Sequence, residues 1–403
     1  MSIRESKAMK STVQGVNGSA AEILASAEAM APRLLERRLE IDAQRQLPQD
    51  LAESLARAGF YRLVVPASLG GLGLSPADFC QLCERLAIAS GSAAWCVFIG
   101  STSQYLFGAL DDQFLSEVLE DANVLTSGVF ADSGTVTAEQ RNGQHGFLVN
   151  GHWRWGSGCH NAAWISGGVH EVDQDGKPLN RDRPLARVFF KPDEIEIQDN
   201  WHVSGLRGTG SSDFIARNVW VPSHRVCGHV EDTARASLPI YRFPKFGLLG
   251  APIGAIALGM ARGSIDEVKR IAIEKTPQGS RKSLAHRSSL HAKVAQSETI
   301  WRAARGLLYD ALDQAWLAAE TAEATLEQRL LIRTANNHAV NVSIDVIDTM
   351  YTAVGGSSVF EDSVLQQYFR DVHVASQHMM VGEPVMELAG RVLLGLDEEG
   401  LGL

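Results

Sequence analysis

The chain of 403 residues carries a formal net charge of −10, is 45% apolar and 21% charged, and places no basic block outside its first 20 residues. Such a length allows two or three domains with a substantial core. Because binding to nucleic-acid phosphates needs clustered lysine and arginine, this charge balance argues against a nucleic-acid partner.

Three further features concern the cellular compartment. The segment 1–20 lacks an apolar stretch, so we expect a flexible tail there and not a signal peptide. The uncharged run from Phe246 to Ala261 is shorter than the ~20 residues that span a bilayer and favours a buried helix. The five cysteines, an odd number, indicate free thiols in a reducing compartment. Together these features predict a cytoplasmic protein with no membrane partner.

Residues 21–123 are predicted to form an N-terminal helical domain. The segments "AAEILASAEAMAPRLLERRLEIDAQ" and "LPQDLAESLARAGFYRLVVP" have apolar residues at helical spacing. Ser75 and Pro76 have the residue types of a helix cap and first turn. Cys80 and Cys83 form a CxxC within the next helix, and without a second CxxC or a histidine pair they indicate helix packing rather than a metal site.

Residues 124–235 are predicted to form a β domain. Asn-Gly pairs begin at Asn142 and Asn150, and each predicts a tight hairpin turn, since both central residues of such a turn need positive φ. The segments "ARVFFKP" and "DFIARNVWVP" are further strand candidates, each ending at a proline.

Residues 236–403 are predicted to form a C-terminal four-helix bundle. Three long amphipathic segments follow Phe246, and a closing helix is expected around His378. The predicted fold class is therefore α+β and mainly α, with a helical domain, a β-barrel or sandwich, and a helical bundle in that order.

Several common catalytic motifs are absent from the sequence. No GxGxxG follows a predicted strand, and no P-loop, HExxH or GxSxG occurs. His286 and His291, like His373 and His378, are five residues apart, a spacing that would put each pair about 140° apart on a helix and unable to share a metal ion. If the protein is an enzyme, its difficult chemistry must therefore come from a bound organic cofactor.

The order of segments resembles the acyl-CoA dehydrogenase fold from about residue 20 to 396. The similar segments are "GFYRLVVPASLGGLGLS", "WHVSGLRGTGSSDFIARNVWVP" and "YTAVGGSSVFEDSVLQQYFRDVHVASQH". The segment "NGHWRWGSGCHNAAW" further resembles the group D flavin-dependent monooxygenases, the oxygenase components of two-component systems such as 4-hydroxyphenylacetate hydroxylase and dibenzothiophene monooxygenase.

This resemblance implies catalytic roles for two residues. Ser157 occupies the position of a serine that hydrogen-bonds flavin N5, and His378 that of a histidine facing flavin C4a. Met379 stands where acyl-CoA dehydrogenases commonly carry their catalytic glutamate, and methionine cannot remove a proton. Some dehydrogenases place the glutamate on the first bundle helix, but no acidic residue lies between Asp232 and Asp266.

The resemblance also implies a cofactor and partners. Reduced flavin would come from a separate NAD(P)H:flavin reductase and react with O2 to form a C4a-hydroperoxyflavin, which oxygenates a small molecule. The segment "EKTPQGSRKS" departs from the family pattern that holds the adenylate of FAD, which favours reduced FMN. A homotetramer is expected. The expected flavin contacts, besides Ser157 and His378, are Trp155, Gly158, Arg207, Gly355, Gly356 and Ser357.

The substrate pocket is expected to include Trp95, Ser103, Phe130 and Met379. Phenol-hydroxylating members carry a second histidine eight residues after a tryptophan like Trp95, and that position here is Ser103. We therefore expect a substrate that needs no phenol deprotonation, such as an indole, another heteroaromatic, a sulfur compound or an amine.

Two alternatives stay open at this point: an oxidase or dehydrogenase of the same fold with a relocated base, and a non-catalytic flavin-binding protein. For His378, and for Trp153, Trp155 and Trp164, a purely structural role is the competing interpretation.

Overall fold

The computed structural model describes residues 19–179, 187–397 and 402–403, so nearly all of the predicted tail lies outside the described residues. Ser75 caps the fourth helix with Pro76 in its first turn, as predicted. The first helix begins with a capping box between Ser19 and Glu22. The N-terminal helices are α1 (Ala20–Glu36), α2 (Arg38–Gln44), α3 (Gln49–Arg57), α4 (Pro76–Ala89), α5 (Gly91–Tyr105) and α6 (Asp112–Val118).

One mixed sheet of seven strands follows in the described part of the chain. Its order is β5-β6-β2-β1-β3-β4-β7; β1 and β3 are parallel, and every other neighbouring pair is antiparallel. The strands are β1 (Thr126–Arg141), β2 (Gln144–Gly156), β3 (Trp164–Glu171), β4 (Arg187–Phe190), β5 (Glu196–Ile197), β6 (Ser212–Pro222) and β7 (Val226–Cys227).

The two Asn-Gly pairs differ in structure. Asn142 and Gly143 form the turn between β1 and β2 with positive φ, which confirms the first prediction. The second prediction is wrong, because Gly151 lies inside β2 at a register shift against β6. The ring of Trp153 packs so closely on this glycine that a Cβ there would lie 2.4 Å from it. Gly151 is therefore required for close packing and not for a turn.

The C-terminal helices form the bundle that the sequence predicts. They are α7 (Pro239–Arg242), α8 (Lys245–Glu274), α9 (Ser288–Ala319), α10 (Leu326–Ala353), α11 (Val364–Ala375) and α12 (Glu383–Leu393). Helix α8 is long and apolar enough to cross a membrane, but 89% of its most apolar window is buried against neighbours that include α4 and α10. The helix therefore lies in the protein core, which confirms that the run from Phe246 to Ala261 forms a buried helix.

The segment around His378 is not helical. Helix α11 ends at Ala375, and His378 lies in the turn before α12, where its backbone N–H donates to the Ala375 carbonyl. Asp371 is buried and accepts the Leu206 N–H at 2.6 Å, whereas Arg370 reaches the Asp42 carboxylate. Helix α11 therefore anchors the loop before β6 directly.

Candidate active site

Ser157 lies in a tight turn immediately after β2. Gly158 has a φ of +75°, and its N–H donates to the Thr209 carbonyl, which ties the turn to the loop before β6. Ser127 on β1 donates to the Ser157 carbonyl at 2.8 Å. The Ser157 side chain is only 5% exposed, so its hydroxyl is held in a fixed, nearly water-free position.

The Ser157 hydroxyl belongs to a row of buried hydrogen bonds. The indole N–H of Trp95 on α5 donates to Ser157 Oγ at 3.2 Å. Ser157 Oγ lies 2.6 Å from Ser211 Oγ, which lies 2.6 Å from Thr209 Oγ1. Thr209 Oγ1 donates in turn to the Leu206 carbonyl at 2.8 Å. Three hydroxyls and one indole therefore fix the orientation of the Ser157 side chain.

The ring of His378 contacts the same tryptophan. The His378 and Trp95 rings meet edge-on with their centroids 5.8 Å apart. The Met380 N–H donates to Nδ1 of His378 at 3.2 Å, so a neutral ring carries its hydrogen on Nε2. Burial, with the nearby Arg333 charge, lowers the pKa of His378 to about 4, and the ring is therefore neutral at physiological pH. His378 presents an N–H donor and no charge.

Trp155 presents an open aromatic surface beside Ser157. It is 66% exposed and has a φ of +67°, an uncommon conformation for a large side chain. Its backbone N–H donates to Asp213 Oδ1 at 3.3 Å, and the other oxygen of Asp213 lies 2.7 Å from His152. A flat ring such as a flavin could stack its face on the exposed Trp155 indole and place a polar edge atom near the buried Ser157 hydroxyl.

Two of the expected pocket residues lie deeper in the protein. Ser103 is 2% exposed, and its hydroxyl has no hydrogen-bond partner in the described structure; it lies near Gly128, where an added Cβ would be 3.3 Å from it. Phe130 is half-buried and stacks under the Arg187 guanidinium, 4.2 Å from the ring centroid. An unpaired buried hydroxyl is unfavourable unless a ligand or water satisfies it, so Ser103 fits a place on a cavity wall.

Met379 lies on the outside of the chain and is 79% exposed. In the described structure no acidic side chain hydrogen-bonds to Ser157, Trp95 or His378. The chain thus offers no carboxylate at the position where a dehydrogenase of this fold would need its base.

Other expected flavin contacts lie apart from this group. The Arg207 guanidinium donates to the Asp42 carbonyl on α2 at 3.1 Å. Ser357, in the turn that begins with Gly355 and Gly356, accepts from Lys275 Nζ at 2.8 Å. Within the described residues, no hydrogen bond or ring contact joins either segment to Ser157, Trp95 or His378. Their flavin contacts remain predictions.

The three tryptophans considered for a cofactor role differ in their burial. Trp153 is fully buried and stacks on Phe214, and Trp164 is buried against Phe114 and the Lys191 ammonium. Both belong to the protein core, whereas Trp155 is open. Within the described residues no cluster of three or more histidine, cysteine or acidic side chains could hold a metal ion.

Sequence reasoning missed Ser211, Thr209 and the link through Arg333. Thr209 and Ser211 lie in "GTGSSD", which the sequence analysis used only as part of the family resemblance and without a role for either hydroxyl. Arg333 donates to the Met380 carbonyl at 3.1 Å, and the N–H of the same residue fixes the His378 ring. Nothing in the local sequence around Arg333 indicates that contact.

Comparisons with known proteins identify the family of this chain. Residues 20–110 match the family "Acyl-CoA dehydrogenase, N-terminal domain" and residues 251–383 match "Acyl-CoA dehydrogenase, C-terminal domain". Indole-3-acetate monooxygenase of Acinetobacter baumannii is 28% identical over 363 residues, which cover 89% of this chain and 90% of that protein. The flavin-dependent monooxygenase oxygenase subunit HsaA of Mycobacterium tuberculosis is 30% identical over 375 residues, covering 89% of this chain and 91% of HsaA.

Solved structures show the same fold. The crystal structure of M. tuberculosis HsaA superposes with a TM-score of 0.82 at 27% identity, covering 96% of this chain and all of that chain. XiaF from a Streptomyces species, solved with FADH2 and glycerol, superposes with a TM-score of 0.85 at 24% identity, covering 94% of this chain and 96% of that chain. The chain belongs to the flavin-dependent monooxygenases of acyl-CoA dehydrogenase fold and is an oxygenase component that uses reduced flavin.

Proposed function

We propose that this enzyme oxygenates a small heteroaromatic substrate of the indole type, with Ser157 and His378 as its catalytic residues. The observation that carries this proposal is the contact of both side chains with Trp95, Ser157 through the indole N–H and His378 through its ring. Reduced flavin, supplied by a separate reductase, provides two electrons and the activation of O2 when it is bound. One oxygen atom enters the substrate and the other leaves as water.

The two residues have complementary roles in this proposal. Ser157 Oγ accepts the N5–H of reduced flavin and so holds the ring in place. His378 directs its Nε2–H toward the reacting oxygen and donates as the oxygen–oxygen bond breaks. The burial of Ser157 and Trp95 excludes water, which would otherwise favour release of hydrogen peroxide.

The substrate class is supported by Ser103 and by one relative. Ser103 replaces the histidine that phenol-hydroxylating members carry, so the pocket has no base for a phenol at that position. The A. baumannii relative is named for indole-3-acetate. With a flavin reductase, NADH and FMN, we expect product formation from indole or indole-3-acetate and none from 4-hydroxyphenylacetate. The opposite preference would overturn the substrate class.

The proposed cofactor form is reduced FMN, with its phosphate at the turn of residues 355–357. The Lys275 ammonium supports this placement, since it bonds the Val354 carbonyl and the Ser357 hydroxyl rather than a carboxylate. Backbone amides of a glycine turn beside such a cation are a common phosphate site. Tighter anaerobic binding of reduced FAD than of reduced FMN would contradict this assignment.

The proposed assembly is a cytoplasmic homotetramer. Free, buried cysteines fit a reducing compartment. Apolar side chains at the end of α12 are exposed in the single chain and fit a subunit interface: Met386, Leu393, Leu394 and Leu396. Light scattering at micromolar concentration tests the assembly, and a monomer would contradict it.

A further inference from the structure

Three hydroxyl groups behind the candidate flavin site form a directed row. Thr209 Oγ1 donates its hydrogen to the Leu206 carbonyl, which can only accept. Ser211, 2.6 Å from Thr209, must then donate to Thr209, and Ser157, 2.6 Å from Ser211, must donate to Ser211. The hydrogen of Ser157 therefore points away from the site.

The indole of Trp95 reinforces this direction. Its N–H is only a donor and lies 3.2 Å from Ser157 Oγ. Of the two lone pairs on Ser157 Oγ, one receives the indole hydrogen and one is left. Ser157 can accept one more hydrogen bond, and it has no hydrogen to give.

We infer that Thr209 and Ser211 are positioning residues that make the Ser157 hydroxyl an acceptor only and so make the site select reduced over oxidised flavin. This inference rests on the proposed contact between Ser157 and flavin N5. Reduced flavin carries a hydrogen on N5 and matches the free lone pair. Oxidised flavin presents a lone pair at N5 and would face the Ser157 oxygen without a hydrogen between them.

Oxidised flavin can gain a hydrogen bond only if the row reverses. Ser157, Ser211 and Thr209 would all have to turn together, and Thr209 would give up the Leu206 carbonyl. The Leu206 carbonyl also accepts from the Trp201 indole N–H and the Thr209 N–H, which hold the loop in place. Reversal therefore exchanges the Thr209–Leu206 hydrogen bond for one to N5, whereas reduced flavin gains its bond with the row intact. The oxidised complex thus has one hydrogen bond fewer than the reduced complex, which corresponds to roughly a five-fold preference for the reduced form. Such a preference suits a protein that receives reduced flavin by diffusion and must release the oxidised form.

The test compares dissociation constants of oxidised FMN and, under anaerobic conditions, reduced FMN, with FAD titrated in parallel. In Ser211→Ala and in Thr209→Val the reduced-to-oxidised preference should fall about five-fold, mainly through tighter binding of the oxidised form. Thr209→Ser keeps the hydroxyl and should keep the wild-type ratio. Ser212→Ala is the matched control, because the Ser212 hydroxyl pairs with His160 and not with the row.

Ser157→Ala distinguishes a failure of the directed hydroxyl row from a failure of the Ser157–flavin contact. If Ser157→Ala lowers the preference while Ser211→Ala and Thr209→Val both keep the wild-type ratio, the directed row is wrong and the Ser157–flavin contact stands. If Ser157→Ala changes neither affinity, the Ser157–flavin contact itself is wrong. Thermal unfolding of each variant shows that the fold is retained, and the Thr209→Val and Thr209→Ser pair decides the question if Ser211→Ala does not fold.

Discussion

The backbone N–H of Met380 lies 3.2 Å from Nδ1 of His378 and so assigns the hydrogen of the neutral ring to Nε2. The Met380 carbonyl is held by the buried Arg333 at 3.1 Å. One residue, Met380, thus sets the ring tautomer through its N–H and contacts a buried cation through its carbonyl. The ring nitrogen that carries the hydrogen is therefore determined by this backbone contact.

His378 variants can locate this donor. His378→Gln places an amide N–H near the position of Nε2 and should retain part of the coupling between product and oxygen consumed. His378→Asn reaches only the position of Nδ1 and should behave like His378→Ala. Loss of a general acid typically costs 10²–10⁴-fold, so in these two variants NADH consumption should continue with hydrogen peroxide as the main product. Product and peroxide are quantified in the same reaction.

Wild-type coupling in His378→Ala would show that His378 is only a core histidine. Equal coupling in the Gln and Asn variants would leave His378 important but contradict the Nε2 assignment.

The pKa of His378, lowered to about 4 by burial and by the Arg333 charge, predicts a flat pH profile. The ring stays neutral from about pH 5 upward, so its contribution to coupling should not change between pH 5 and 8. The lowered pKa also determines how folding stability changes with pH. As the pH falls from 6.5 towards 4 the unfolded chain takes up a proton that the folded ring does not, and folding weakens. Coupling that falls with an apparent pKa near 6.5 would contradict the assigned environment.

Asp371 should affect stability in the opposite direction. Burial, above all, raises the pKa of this carboxyl to about 7, so its stabilising contribution is complete below pH 3.8 and is lost as the pH rises through 7. Asp371→Asn keeps an oxygen for the Leu206 N–H and removes the charge. We expect the variant to match the wild type near pH 4 and to exceed its unfolding free energy by about 1–4 kcal/mol above pH 7. Denaturant titrations across this range measure the difference, and a pH-independent difference would contradict the prediction.

Lys275 provides a test of the phosphate position. Lys275→Met should weaken anaerobic binding of reduced FMN, by about ten-fold for a lost charge-assisted contact, and leave reduced riboflavin nearly unchanged. Lys293→Met, on the exposed surface of α9, removes the same charge away from the turn and is the matched control. Equal losses for FMN and riboflavin would indicate a general change in the fold instead of a lost phosphate contact.

Most of the fold follows from the sequence because its signals are local. Helical spacing, the Ser75-Pro76 cap and the Asn142-Gly143 turn each act within a few residues. The Asn-Gly rule failed at Asn150, since the ring of Trp153, two residues further along β2, packs on Gly151 and requires a glycine there. His378 was placed in a helix because its neighbours favour one, although α11 ends three residues earlier.

The candidate site depends more on distant contacts. The family pattern singles out Ser157 and His378, but only the fold brings Trp95, 62 residues before Ser157, into contact with both. The partners Ser211 and Arg333 lie on other elements and carry no motif that points to Ser157 or His378. Their roles come from hydrogen-bond directions, which a sequence does not contain.

The most direct test of the central claim is the fate of ¹⁸O2 in a reaction with a flavin reductase, NADH, FMN and indole or indole-3-acetate. We predict that one ¹⁸O atom appears in the product and the other in water, and that His378→Ala diverts the label to hydrogen peroxide. Product oxygen that comes from water, or a dehydrogenated product without label, would show that this chain is not a monooxygenase in the sense proposed here.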